Sequence, residues 1–315
     1  MTERLAHDDE VAAWAEDGWV LLEGLVSTDV IDAAVSELSE MFPTPEQYHD
    51  SPDEQTEHWI GQPPSRSAGY VWPAAGPGFR PEQHRWRADF PFAGRRLNRL
   101  CVHRAIVDFM ERALRTQQLR IYQTQLTAKY TGFANYEQPM HTDRNHSWLA
   151  PEPDAQWRHV EGFLYLSDVD ASHAPTHLVS VRDSAGRSSN VPLVMPNRDP
   201  TLYAAEQPAI GVRGSFLAYR TDVFHRAVDL TAARGARFLL NVSYKVAGSD
   251  WIGFHSPQAR ATSSHWVSFV EGSSARELEL FGFPPPGDRA WTSELLDATA
   301  ERYPALDVTP WRSTL

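Results

Sequence analysis

The chain has 315 residues, 42% hydrophobic and 22% charged. This is ordinary globular usage, and it excludes collagen, coiled coil or wholesale disorder as a description of the whole. At roughly 150 residues per domain the length fits about two domains or one large one. The 29 basic and 41 acidic residues leave a net charge of −12. Such a surface repels phosphate backbones, so nucleic acid is not an expected partner.

No apolar run approaches the roughly 18 residues that span a bilayer. The first ten residues, Met1 to Glu10, lack the apolar stretch of a signal peptide. With Cys101 as the single cysteine, no intrachain disulfide forms. These features predict a cytoplasmic protein without a membrane partner.

In chain order, the pattern predicts a short helix over 8–16 that ends at Gly18, then a strand at Trp19–Leu22. Ser27 is a candidate N-cap for a helix over 28–42, with Val30, Ile31, Ala34, Val35, Leu38 and Phe42 on one stripe. Residues 43–95 have no clear period and are rich in Pro, Gly, His and Trp, so they read as a long ordered loop. Loops of that length are usually functional, and a lid or insert is expected here. A helix over about 102–115 comes next, with Val102, Ile106, Phe109, Met110 and Ala113 inward.

From 118 to 247 the period becomes two. Gln123, Gln125, Thr127 and Lys129 share one strand face. Arg237, Asn241, Ser243 and Lys245 share another, opposite Phe238, Leu240, Val242 and Tyr244. Further strands are predicted at 159–167, 176–181, 212–219 and 223–228. Strands with one polar and one apolar face suggest a barrel or sandwich with a polar lumen. Helices from the N-terminal part and from a C-terminal extension, 248–315, would cover its outer face. No linker divides the chain, so a single domain over 1–315 is expected.

Thirteen His invite a search for metal ligands. A His-x-Asp/Glu pair on a strand puts both side chains on one face. With one distant His it supplies two imidazoles and a carboxylate, a set that leaves positions open on Fe(II). Three pairs occur: His7/Asp9, His141/Asp143 and His159/Glu161. The first lies in an N-terminal segment and reads as solvated charge. The third lies in a strong strand pattern and reads as two side chains on one sheet face. His141/Asp143 is favoured by two residues further along the chain. His225 comes after a strand that begins at Gly214. Arg237 then opens the best strand of the chain on its polar face. A buried arginine there needs an anion, and its planar fork suits a carboxylate.

These pieces resemble the phytanoyl-CoA dioxygenase-like branch of the Fe(II)/2-oxoglutarate oxygenases. Glu16 to Val26 is similar to the family's opening Asp-Gly-aromatic segment. Gln123 to Lys129 resembles the strand before its Lys-Pro-Pro turn, although Tyr130-Thr131 stands in place of Pro-Pro. Met140-His141-Thr142-Asp143 resembles its Trp-His-x-Asp. Gly162 to Asp170 resembles its next strand, and His225 to Arg237 its closing His-to-Arg element. Ala174 to Val181 departs from the family pattern, so the loop after it reads as rebuilt, and His177 reads as a strand residue.

The resemblance implies an α+β protein with a double-stranded β-helix of jelly-roll or cupin type and flanking helices. It implies Fe(II) on His141, Asp143 and His225, with O2 and 2-oxoglutarate as co-substrates. Arg237 would hold the distal carboxylate of 2-oxoglutarate, with Lys129 and Gln125 also at the co-substrate. Related halogenases have a small residue where Asp143 stands, so hydroxylation of a small molecule is expected over halogenation. Substrate choice is assigned to 43–95, to Arg144, His146 and Trp148, and to 182–208. In the first region Trp59, Tyr70, Trp72 and Trp86 would supply apolar walls, and Arg87, among Arg66, Arg85, Arg95 and Arg96, would meet a substrate anion. Two other readings stay open: a metalloenzyme that does not use 2-oxoglutarate, and a non-catalytic binding barrel.

Overall fold

The computed structural model describes residues 4–55, 86–132, 137–143, 158–188, 193–249, 252 and 263–315. Its two longest strands are those with the clearest alternation, β3 (Leu119–Tyr130) and β9 (Ala236–Val246). They pair antiparallel, with Lys129 opposite Arg237 and Gln125 opposite Asn241. On the other side of β9 lie β4 (His159–Tyr165), then β7 (Phe216–Tyr219), then β1 (Trp19–Leu22). β2 (Arg87–Asp89) closes the opposite edge beside β3, which completes a six-stranded sheet.

Alternation gives this sheet two unlike faces. Leu126, Ala128, Tyr130, Val160, Leu164, Phe216, Ala218, Phe238, Leu240, Val242 and Tyr244 point outward into one large core. Helices cover that core: α1 (Asp8–Asp17), α2 (Thr28–Val35), α3 (Pro45–Asp50), α4 (Arg95–Leu100) and α5 (Arg104–Leu114) from the N-terminal part. From the C-terminal part come α7 (Ser264–Glu271), α8 (Ala275–Glu279), α9 (Ser293–Arg302) and α10 (Thr309–Arg312). The short α6 (Pro200–Ala204) lies between strands. In α5, Ala105, Ile106, Phe109, Met110 and Leu114 form the buried stripe. No helix among the described residues is long and apolar enough to cross a membrane.

The inner face meets a second, three-stranded sheet of β6 (Gln207–Pro208), β5 (His177–Val179) and β8 (Phe224–Arg226). Tyr165, Leu178, Leu217, Tyr219, Val223 and Leu239 pack between the two sheets. The result is a jelly-roll with a lumen, the double-stranded β-helix.

Several elements differ from the sequence expectation. The helix over 28–42 stops at Val35, and a 3₁₀ turn comes after it at Leu38–Glu40. The hydroxyls of Ser36 and Ser39 donate to the carbonyls of Ala33 and Ser36, a local competition that disfavours continuation of the helix. Val30 is consequently on the solvent side, while Ile31, Ala34 and Leu38 are buried.

The stretch 43–95 carries α3 and β2 in its described parts. Thr44 caps α3 through a reciprocal box with Gln47, and Pro45 opens the helix, a pattern legible in the sequence. Trp86, expected as a wall of a lid, packs against Tyr48 and Tyr130 on the outer core. The register that turns Arg87 and Asp89 inward turns Ala88 outward. Trp59, Arg66, Tyr70, Trp72, Arg85, Arg144, His146 and Trp148 lie outside the described residues.

Two glycines are fixed by space. Gly18 ends α1 at φ 80°, and a Cβ there would meet Val223 Cγ2 at 2.7 Å. At Gly162 a Cβ would strike the Phe216 ring and stand 2.7 Å from the Val242 carbonyl oxygen. Gly162→Ala should therefore lower stability by about 1–3 kcal/mol, the usual cost of overpacking. Urea denaturation beside the parent chain measures it, and equal midpoints would contradict this packing.

Candidate metal centre

The centre is assembled by a backbone bridge between two segments far apart in sequence. The His141 amide donates to the His225 carbonyl at 3.0 Å, and the His225 amide donates back at 2.9 Å. Antiparallel partners of this kind project their side chains to one side. The two imidazole rings stand 4.3 Å apart, centre to centre.

Each ring is oriented by its own chain. His141 Nδ1 lies 3.0 Å from the Pro139 carbonyl oxygen, and His225 Nδ1 lies 3.0 Å from that of Val223. A carbonyl accepts only, so these bonds put the proton on Nδ1 and the lone pair on Nε2. Asp143, two residues after His141, completes the group. Its Oδ1 is 3.9 Å from His141 Nε2, and its Oδ2 is 3.4 Å from His225 Nε2.

The ligand atoms of the three residues lie within 4.8 Å of one another. A cation with donors at about 2.0–2.2 Å spans the two shorter separations. Two neutral imidazoles and one carboxylate form a set suited to a divalent first-row metal with positions left open. The donor chemistry and the spacing both fit such an ion.

Tyr219, the last residue of β7, touches two members of the group. Its hydroxyl donates to Asp143 Oδ2 at 2.9 Å, and its ring centre lies 4.8 Å from that of His225. Burial pushes its phenol well above the usual range, and the carboxylates of Asp143 and Glu161 push further the same way. The phenol is therefore a proton donor at neutral pH. Glu161 is directly opposite Tyr219 in the sheet. Its buried carboxylate accepts from the Tyr122 hydroxyl and, at 2.6 Å, from the Ser243 hydroxyl. His159 and Glu161 thus share one face, with Glu161 inside the lumen.

Lys129 and Arg237 are cross-strand neighbours on the inner face of the same sheet. Arg237 Nη1 donates to the Ala174 carbonyl, while its buried Nε has no hydrogen-bond partner among the described residues. Burial pushes the Arg237 guanidinium down to about 10. Burial first, and then the neighbouring Arg237 charge, push the Lys129 amine down to about 8, against a pull from Asp229. Lys129 donates to the Val228 carbonyl. The two cations are adjacent and half-buried, and each donates to a carbonyl, an arrangement that could meet an anion. Arg234, the nearby competitor in sequence, is exposed and binds Asp50 at 2.6 Å.

The remaining expected residues are spread over the inner face and its surroundings. Gln125 is buried on the same inner face as Lys129, opposite Asn241. Arg87 faces the same way from β2 and binds Asp89 at 2.9 Å. His177 lies on β5 with its Nδ1 3.0 Å from Glu206. His7 precedes α1, and its amide donates to Glu10.

Sequence reasoning missed Tyr219 and the cluster behind His225. There Arg226 is held by both oxygens of Glu206, at 2.7 and 2.8 Å, and by Glu137 at 3.2 Å. Tyr203 joins it, with a hydroxyl that accepts from the Met140 amide at 2.9 Å. This cluster ties the stretch before His141 to β8. Only the alternation of Phe224, His225 and Arg226 hinted at a second, outward-facing network.

No family model matches the sequence, and no curated protein is similar to it in sequence. Solved structures share its fold. EctD from S. alaskensis, in its apoform, matches with a TM-score of 0.52 at 14% identity, covering 82% of this chain and 82% of that one. The non-heme alpha ketoglutarate dependent carbocyclase SnoK from nogalamycin biosynthesis matches at 0.52 and 14%, covering 77% and 85%. HygX from Streptomyces hygroscopicus, with nickel and 2-oxoglutarate bound, matches at 0.51 and 13%, covering 77% and 88%. At these identities the likeness is one of fold.

His141→Ala and His225→Ala should each abolish stoichiometric Co(II) binding, followed by visible spectroscopy. Full retention in both would remove the metal from this centre.

Proposed function

We propose that the chain is an Fe(II)/2-oxoglutarate-dependent dioxygenase of the phytanoyl-CoA dioxygenase-like class. It would hydroxylate an unactivated C–H bond of a small molecule. The observation that carries the reading is that one lumen faces both charge systems. The His141, Asp143 and His225 donors converge, and Arg237 and Lys129 are half-buried on the inner face of the large sheet without a carboxylate ion pair among the described residues. Fold neighbours support it: SnoK is described as alpha ketoglutarate dependent, and HygX holds 2-oxoglutarate.

His141, Asp143 and His225 would hold the iron. The bound iron, with 2-oxoglutarate and O2, supplies the oxidation: substrate C–H gains one oxygen atom, and the other oxygen leaves in succinate, with CO2 released. Arg237 would hold the distal carboxylate of the co-substrate through its planar fork, with the Lys129 charge beside it. Gln125 adds a side-chain amide on the same face. Leu178, Leu217, Val223 and Leu239 supply an apolar part of the lining between the sheets, which would limit water near the centre. Asp143 fills the position that the resemblance associates with chloride in halogenases, which favours an oxygenated product. Arg87, on the inner face of β2, is placed to meet a substrate anion.

The inward cation pair favours this reading over a metalloenzyme without 2-oxoglutarate, which needs no second anion site. Turnover distinguishes it from a passive binding barrel. Succinate release on addition of Fe(II), 2-oxoglutarate and O2, across a panel of small molecules, tests the class. A substrate product that gains one oxygen tests hydroxylation. Failure to release succinate, with or without any substrate, would overturn the reading, and a chlorinated product would overturn the role of Asp143.

Arg237→Ala should raise the 2-oxoglutarate concentration for half-maximal turnover roughly tenfold or more, the loss of a charge-assisted pair. Arg234→Ala should leave it unchanged, and the reverse pattern would identify the wrong arginine.

Lys129 adds a pH dependence. Its folded pKa is lowered to about 8, so its positive charge is present below that pH and lost above it. Binding of 2-oxoglutarate should weaken as pH rises through 8, and Lys129→Met should flatten that profile. Calorimetric titration across the range gives the answer, and identical profiles would separate Lys129 from the anion.

A further inference from the structure

We propose that Tyr219 is a positioning residue for the metal centre, one that fixes the rotation of the Asp143 carboxylate. The inference rests on the metal site proposed above and goes beyond it to a residue outside the ligand set.

A carboxylate on a short side chain rotates about its last bond, and it can offer a cation one oxygen or two. Tyr219 restrains that rotation, because its hydroxyl donates to Asp143 Oδ2 at 2.9 Å. The same Oδ2 stands 3.4 Å from His225 Nε2, so the bond sets how the carboxylate meets the imidazoles. Rotation of the carboxylate would break the bond inside a protein core, where a lost partner costs more than in water.

Tyr219 is itself firmly placed. Only 2% of its surface is exposed, and its ring packs among Leu178, Val223 and Leu239. It stands between Trp19 and Glu161 in the six-stranded sheet. The turn after it is closed by an ion pair between Arg220 and Asp222, at 3.0 and 2.7 Å, and by the Val223 amide on the Arg220 carbonyl. That turn delivers Val223, whose carbonyl orients His225, and then His225 itself, whose ring lies 4.8 Å from the Tyr219 ring. One rigid segment thus sets a ligand and the group that orients another ligand. Groups behind a metal ligand of this kind typically contribute 10–100-fold to metal affinity or activity.

The test is a Co(II) titration of the whole chain, followed by the visible absorption of the bound ion, with urea denaturation as the control for folding. Tyr219→Phe keeps the ring over His225 and removes only the hydroxyl. It should bind Co(II) roughly 10–100-fold more weakly and shift the absorption band, at unchanged stability of the metal-free chain. If the unaltered chain does not bind Co(II), the metal site itself fails, which is a distinct result. If it binds and Tyr219→Phe shows the same affinity and band, the inference is overturned. If Tyr219→Phe does not fold, a ring-fluorinated tyrosine at position 219 keeps the shape and strengthens the donor. The band must then move, and an unmoved band overturns the inference equally.

Discussion

The reciprocal pair of amide-to-carbonyl bonds between His141 and His225 is the constraint on which the centre depends. Neither residue belongs to a long strand. His141 lies in a stretch held by short contacts, this bridge, one at Met140 and the Gln138 amide on the Ala227 carbonyl at 2.9 Å, and β8 is only three residues long. Their mutual register decides whether two imidazoles meet or point apart, because a slip of one residue turns every side chain to the other face. The protein secures that register from behind. Arg226 clasps Glu206 and Glu137, and Tyr203 holds the Met140 amide. The polar cluster lies on the outer side of the small sheet, so it can fix the backbone without competing with the ligands for a cation.

Within the lumen the charges have unlike surroundings. The carboxylates of Asp143 and Glu161 accept from tyrosine or serine hydroxyls. Lys129 and Arg237 lie at one end of the β3–β9 pair, and Lys245 lies toward the other, donating to the carbonyls of Ser249 and Ile252. Burial alone disfavours each charge, which is why the Lys129 amine and the Arg237 guanidinium are both pushed down. Two like charges side by side and half-buried repel each other, and an anion between them would relieve that, with Asp229 already offsetting part of it at Lys129. The opposite face of the sheet carries no such conflict: it is apolar and covered by helices.

The long alternating strands are legible because period two survives in a chain whose outward side chains meet helices and whose inward ones meet a lumen. Leu119–Tyr130 and Ala236–Val246 declare themselves by Leu126/Gln125 and Leu240/Asn241. The short strands end sooner than the pattern at 176–181 and 223–228 predicts. Their pairing lasts three residues before a turn takes over, and no local signal marks that point. The C-terminal extension is helical as expected, but in several pieces. Gly272 and the run Pro284-Pro285-Pro286-Gly287 break it, as those residues dictate.

By itself the sequence determined the residue chemistry: a His-x-Asp pair, a later His, and an arginine on the polar face of a strand. It also determined which faces are apolar, because that is set by order along the chain. Only the tertiary structure decided which cations face the lumen together, since Arg234 and Arg237 differ in sequence by three places yet one reaches Asp50 at the surface and the other the lumen. It alone placed the Tyr219 hydroxyl on Asp143 and drew Trp86 to the outer core. Those pairings depend on sheet register between distant segments, and register is set by the packing of the whole β-helix, not by any local stretch of chain.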